Sequence, residues 1–363
     1  MYSMTAMPKT ILLYTGMFGS GNYATYTTSD IDKLLQATNE FTLCNGGTVY
    51  NYYNNGNVST PIITSNVINN IQANDVQFAN KLANIKADYQ ELLSKWNDPN
   101  RTLEKAADAQ IELAKNIVSR NSNAVIWFSF PHAPASACAQ HYKVPFTQFF
   151  TRLKEKVGSA IWNNNVRGFY WGTEHVEAYY TKFDASSPST NYNNRMIELM
   201  AAMSSLVKKA GKQFMWMPYT TNEPDNSTAY TFIRAGYVAN RTNIFDYVLL
   251  QPGYYQKPEK DFRLNSVKTC VQDNKVYDRH GGVIGGSKTS STKIGVDMEI
   301  DDKIAGVNCP AGTTWWDYSA RYYEYTLRFD PLKSKIPISY YAGERNSLMN
   351  PTVYNYVKTF LTY

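Results

Sequence analysis

Cysteine and histidine are scarce in this chain, four of each in 363 residues. The cysteines are Cys44, Cys138, Cys270 and Cys309, with no C-x-x-C spacing, and the histidines form no H-x-H or H-x-x-x-H pair. Structural zinc sites and histidine-rich metal centres need such clusters, so neither is expected, and no cofactor is. Buried free thiols are the expected state, though export would open the way to a Cys270–Cys309 bridge. No apolar run reaches the ~18 residues of a membrane span. "MYSMTAMPKT" lacks a charged region followed by an apolar one, so no leader is visible there. Charge of one sign is also modest. The formal net charge is +6, and the densest basic run, "VKKAGK" at 207–212, reads as the last turn of a helix, where cations meet the dipole. Nucleic-acid binding is therefore not expected. "GGVIGGSKT" fails as a phosphate loop, because Ser287 separates Gly286 from Lys288 and a strand follows.

Aromatic surface is abundant. There are 29 tyrosines and 7 tryptophans, within an ordinary balance of 43% hydrophobic and 18% charged residues. Tyr and Trp pair a flat apolar face with a polar edge, which suits stacking against sugar rings as well as filling a core.

Short β-rich runs alternate with helical stretches, the pattern of a parallel sheet. Strands are expected at 11–15, 47–53, 124–130, 166–171, 213–219, 245–251, 293–300 and 336–342. Helices are expected at 29–38, 70–96, 101–120, 145–163, 192–211, 227–238, 259–279, 314–328 and 351–362, with Pro145, Pro258 and Pro351 near helix starts. Eight strands with helical connections predict an α/β fold, a (β/α)8 TIM barrel, with an open doubly wound sheet as the runner-up. No repeat or linker is visible. One domain over 1–363 is expected, carrying a long helical insertion at about 66–122 and a flexible Gly/Ser loop at 279–292. A monomer is expected.

Two stretches place carboxylates at strand ends. "GFYWGTE" brings Glu174 to the end of the fourth strand, and "GVDMEIDD" sets Asp297, Glu299 and Asp301 at alternate positions on the seventh. Side chains alternate along a strand. Val296, Met298 and Ile300 should therefore pack under helices while the acids point into the barrel or its mouth. Structural readings compete: Glu174 could charge a helix start, and the three acids could be salt-bridged. Paired carboxylates across a cleft are what glycoside hydrolysis requires, one protonating the leaving oxygen while the other attacks or activates water. Glu174 and Glu299 are the expected catalytic pair. Tyr170, Trp171, Trp216, Tyr219, Gln251, Tyr254, Tyr255, Asp297, Asp301, Tyr341 and Glu344 are the expected substrate-binding residues, since aromatics, amides and acids at one rim suit a polyol. His132, Asn222 and Glu223 also fall at strand ends.

The segments "GFYWGTE", "KQFMWMPY", "FDYVLLQPGYY", "IGVDMEID" and "YYAGE" are similar, in order and spacing, to a bacterial family known as domain of unknown function 4855. The resemblance covers roughly residues 10–362 and implies a glycosidase-type (β/α)8 barrel. More distantly, acids ending strands four and seven resemble clan A of the retaining glycoside hydrolases. That likeness implies Glu174 as acid/base and Glu299 as nucleophile. The clan usually has Asn before the acid/base, where this chain has Thr173. The expectation is a secreted or cell-surface glycoside hydrolase acting on a poly- or oligosaccharide. The alternatives are a non-catalytic carbohydrate-binding barrel and a metal-dependent hydrolase using Asp297, Glu299 and Asp301, with Ca²⁺ or Mg²⁺ as the ion.

Overall fold

A computed structural model describes residues 6–18, 21–46, 103–132, 139–174, 195–219, 232–258, 261–278 and 280–363. Eight strands form a closed, wholly parallel barrel: β1 (Lys9–Tyr14), β2 (Glu40–Cys44), β3 (Val125–Phe130), β4 (Val166–Trp171), β5 (Gln213–Trp216), β6 (Tyr247–Leu250), β7 (Lys293–Glu299) and β8 (Ile338–Tyr341). Neighbours follow chain order and β8 closes on β1, with Lys9 opposite Ile338. The wall is built of helices α1 (Thr28–Leu34), α2 (Leu103–Arg120), α3 (Ala139–Val157), α4 (Ser159–Asn164), α5 (Arg195–Lys209), α6 (Ile233–Arg241), α7 (Asp261–Asp273), α8 (Trp315–Phe329), α9 (Arg345–Leu348) and α10 (Pro351–Thr362). Strands bring successive side chains to opposite faces. One set, including Ile11, Phe41, Phe128, Phe169, Phe214, Val248, Val296 and Ile338, is buried in the large core that holds the helix residues. The other set, Leu12, Cys44, Trp127, Tyr170, Met215, Tyr247 and Leu249, forms a second cluster. These are the two layers of a (β/α)8 barrel, one under the helices and one filling the lumen.

The second strand differs from expectation. Glu40–Cys44 takes that place, and the expected 47–53 lies wholly outside the described residues. The helix expected at 70–96 and most of the insertion also lie outside them. The described end of that insertion, α2, is an ordinary wall helix. It buries Leu103, Ala106, Ala107, Gln110, Ile111, Leu113, Ala114 and Ile117, and it packs between α1 and α3. The helix expected at 145–163 is two, α3 and α4, separated at Gly158, and Pro145 lies inside α3 rather than at its start. The described part of the expected loop, 280–292, is pinned rather than loose. Asp278 Oδ1 accepts from the N–H groups of His280 (2.8 Å) and Gly282 (2.9 Å), and Asn240 Nδ2 donates to the Ile284 carbonyl (2.9 Å). Cys44, Cys270 and Cys309 are free thiols, so no Cys270–Cys309 bridge forms.

The lower lumen is closed by a buried polar plug. Arg167 ion-pairs with Glu40 at 3.1 Å, and both side chains are almost wholly enclosed. Arg167 Nε donates to Gln213 (2.8 Å) and its guanidinium also reaches the Tyr247 hydroxyl (3.2 Å), while Trp127 Nε1 donates to Glu40 (2.7 Å). Trp127 fits only because residue 168 is glycine. A Cβ there would lie 2.2 Å from the Gln213 carbonyl oxygen and 2.4 Å from the Trp127 ring. No helix among the described residues is long and apolar enough to cross a membrane.

Candidate active site

The carboxylates gather at the other end, where the strands finish. Glu299 is the last residue of β7 and Glu174 lies three residues beyond β4. Parity on β7 puts Val296, Met298 and Ile300 into the core under the helices. Asp297 and Glu299 then share the opposite, inward direction. Both are buried, at 1% and 5% exposure, while Glu174 is partly exposed.

Three donors converge on Glu299. The Tyr325 hydroxyl, from α8, donates to its Oε2, and the backbone N–H groups of Gly253 and Tyr255 donate as well. Gly253 has φ +68°, a left-handed turn that favours glycine. Burial nonetheless pushes the Glu299 carboxyl up to about 7, and the charge of Glu174 adds to that rise. Glu174 is also held above the ordinary carboxylate range by burial, against a hydrogen bond from Gln251 that favours its charged form. Gln251 is fixed in turn, since its amide donates to the Met217 carbonyl at 2.9 Å. Asp297, one layer deeper, is raised well above its ordinary value by burial and by Glu299, with the Ser339 hydroxyl opposing.

Tyrosines surround the acids. Tyr341 ends β8 directly opposite Glu299 in register. Burial pushes its hydroxyl up to about 12, followed by the charges of Glu174, Asp301, Asp297 and Glu299. Tyr14 meets Tyr341 edge-on, with ring centres 6.0 Å apart, and Tyr170 lies in the field of Glu174 and Asp297. Cys44 sits in the lumen below, its thiol pushed up to about 12 by burial.

The expected site residues divide. Glu174, Glu299, Gln251 and Tyr341 come together at the mouth, and Asp297 and Tyr170 lie buried in the lumen directly beneath them. Tyr219 joins them through its backbone, its N–H donating to the Glu174 carbonyl at 2.8 Å. Tyr254 is partly buried, with its ring 6.2 Å from that of Tyr325. Glu344 is exposed and precedes α9. His132 is partly buried, and its Nδ1 lies 3.3 Å from the Gly172 carbonyl.

Trp171, Trp216 and Tyr255 are corrections, because none of the three lines the mouth. Trp171 is fully buried under the helices, 5.9 Å from Phe146 and 6.1 Å from Phe130. Trp216 stacks on Phe245 at 5.3 Å and its indole N–H donates to the Thr173 carbonyl at 2.8 Å. Both occupy outward positions of their strands, and Tyr170 and Met215 take the inward ones. Tyr255 is buried beside Tyr318, its ring centre 5.2 Å away, and it reaches the site only with its backbone. Asp301 is also engaged elsewhere. It caps the 3-10 turn Asp302–Ala305, pairs with Lys303 and accepts from Gln256 at 2.8 Å. Among the described residues no three His, Cys, Asp or Glu side chains converge as metal ligands. Asn222 and Glu223 lie outside the described residues.

Tyr325 and Tyr14 were not singled out from the sequence. Tyr318, Tyr322, Tyr325 and Phe329 recur at helical spacing and mark the buried face of α8. Which of them reaches the end of β7 is fixed by packing alone.

No protein-family model matches this chain, so the likeness to the domain of unknown function family has no support there, and no curated protein matches it. Among solved structures, an active-site mutant of Rhizomucor miehei beta-1,3-glucanosyltransferase in complex with laminaritriose is similar at 15% identity. The match covers 64% of this chain and 71% of that one, with a TM-score of 0.33. A likeness that slight carries no argument about chemistry, and the site must speak through its own geometry.

Proposed function

We propose that the chain is a glycoside hydrolase acting on a poly- or oligosaccharide, with Glu299 as nucleophile and Glu174 as acid/base. One observation carries the reading. Two carboxylates stand in each other's field at the C-terminal mouth of the barrel, in unequal surroundings. Glu299 is enclosed and receives three donors that favour its anion. Glu174 is nearer solvent and has one. The anion-supported carboxylate suits attack on an anomeric carbon, and the less supported one suits delivery of a proton to the departing oxygen. Tyr14 and Tyr341, both partly exposed, offer ring faces and hydroxyls to a sugar. The chemistry uses no cofactor. The metal-dependent alternative fits less well, because Asp301 is tied to Lys303 and Gln256.

A panel of oligosaccharides tests this, read by reducing-end release and by NMR of the first anomer formed. The expected result is hydrolysis with retained configuration, abolished in Glu299→Gln. Incubation with a 2-deoxy-2-fluoro glycoside of the active sugar should add one glycosyl mass on the peptide that holds Glu299. Inverted product, or a label elsewhere, removes Glu299 as nucleophile. Binding without turnover throughout the panel returns the chain to the carbohydrate-binding reading.

A further inference from the structure

Asp297 is the carboxyl that the catalytic reading leaves without a task. It precedes Glu299 by two residues on β7, so the two Cα atoms are ~6.6 Å apart and the side chains point the same way. Its side chain is 1% exposed, and its Oδ1 has no hydrogen-bond partner among the described residues. The groups acting on it are Ser339 opposite it and Tyr341 farther along on β8, Glu299 above it, Glu174 beyond β4, and Tyr170 on β4. None of these is a cation. The lumen guanidinium, Arg167, is committed to Glu40 in the plug, and Lys303 is committed to Asp301. An enclosed carboxylate with no cation facing it among the described residues, and with an unfilled oxygen, is costly. The same enclosure costs a neutral carboxylic acid far less. Glu299 is the opposite case, since its donors compensate a negative charge. One proton placed on this pair therefore belongs on Asp297.

We propose that Asp297 is a positioning residue that carries the site's standing proton, a neutral acid beneath Glu299 that leaves the strand's single negative charge on Glu299. Were both ionised, two uncompensated anions would share one strand face, and Glu299 would take up the proton that an attacking carboxylate must lack. Asp297 acts through Glu299 and need not touch the sugar. The inference rests on Glu299 as the working carboxylate, but the protonation itself is read without any substrate.

The experiment uses full-length protein labelled with ¹³C at the aspartate side-chain carboxyls, followed by NMR from pH 4 to 9. One resonance is expected to stay in its protonated position through pH 7 and to be missing from both Asp297→Asn and Asp297→Ser. The proposal is overturned if every aspartate ionises by about pH 5, or if the persistent resonance survives in a folded variant. Should neither variant fold, the unaltered protein still decides: a protonated aspartate at pH 7 supports the proposal and none overturns it. With an active glycan, the acid limb of kcat/KM in Asp297→Asn should coincide with that of the wild type. A downward move of about one pH unit would mean that Asp297 had been charged beside Glu299, and would overturn the inference. Absence of hydrolysis with a protonated Asp297 removes the proposed function alone.

Discussion

Glu299 accepts from a tyrosine hydroxyl and two backbone N–H groups, yet burial holds it near 7 rather than at its ordinary 4.5. Each donor favours the charged form, so removing one should raise the carboxyl further. In Tyr325→Phe the acid limb of kcat/KM is expected to move to higher pH by about one unit, with loss concentrated below neutrality. A pH–rate profile on an active glycan checks this, and an unmoved limb would detach Tyr325 from the chemistry. The same shift is a statement about stability. The folded state holds a proton that the unfolded chain releases near 4.5, so stability is full below that value and lost as pH rises towards 7. The loss is on the order of 3 kcal/mol for this group. Glu299→Gln holds no such proton, so its unfolding free energy should fall less between pH 5 and 8 than the wild type's. Urea melts at the two pH values measure the difference, and equal slopes would place the Glu299 carboxyl back in the ordinary range.

At the scale of elements, the strands set what could be read in advance. The alternation Asp297, Val296, Glu299, Met298 on β7 was legible, because three acids at one parity leave a strand a single sensible orientation. The tryptophans were not. Tyr170 and Trp171 are neighbours, both aromatic, and a one-residue change of parity exchanges core and lumen. Nothing local chooses between them; Phe130, Phe146 and Phe214, distant in sequence, supply the pocket that takes Trp171. Strand β2 was missed for a related reason. Glu40 looks like a surface residue until Arg167, 127 positions later, neutralises it inside the barrel. Trp216 gives a sharp test of the corrected parity. Trp216→Ala should destabilise the fold by about 3–5 kcal/mol, the cost of emptying a core aromatic site. The folded fraction should keep its oligosaccharide affinity. Weakened binding at unchanged stability, seen by calorimetry alongside thermal melts, would return Trp216 to the rim.

Across the whole molecule, the barrel separates two buried polar systems by end. Glu40, Arg167, Trp127, Gln213 and Tyr247 close the bottom as a satisfied network around one ion pair, whereas the acids at the mouth face one another with few cations nearby among the described residues. The first has the form of a fold-specifying plug and the second of a reactive site, since a satisfied pair has little left to offer a ligand. That division predicts how mutations should separate. Glu40→Leu or Arg167→Met alone strands a charge in the lumen and should cost about 3–5 kcal/mol. The double substitution removes both charges, so its cost should fall short of the sum by roughly 1–3 kcal/mol. Neither the single nor the double change should move the acid limb of activity, because the perturbed charges lie at the far end of the strands from Glu299 and Glu174. Urea melts of the four proteins give the coupling, and pH–rate profiles of the folded ones give the separation. Strict additivity would mean that the pair is not a unit. A shifted limb would mean that the plug's field reaches the mouth, and the two ends would then have to be treated as one electrostatic system.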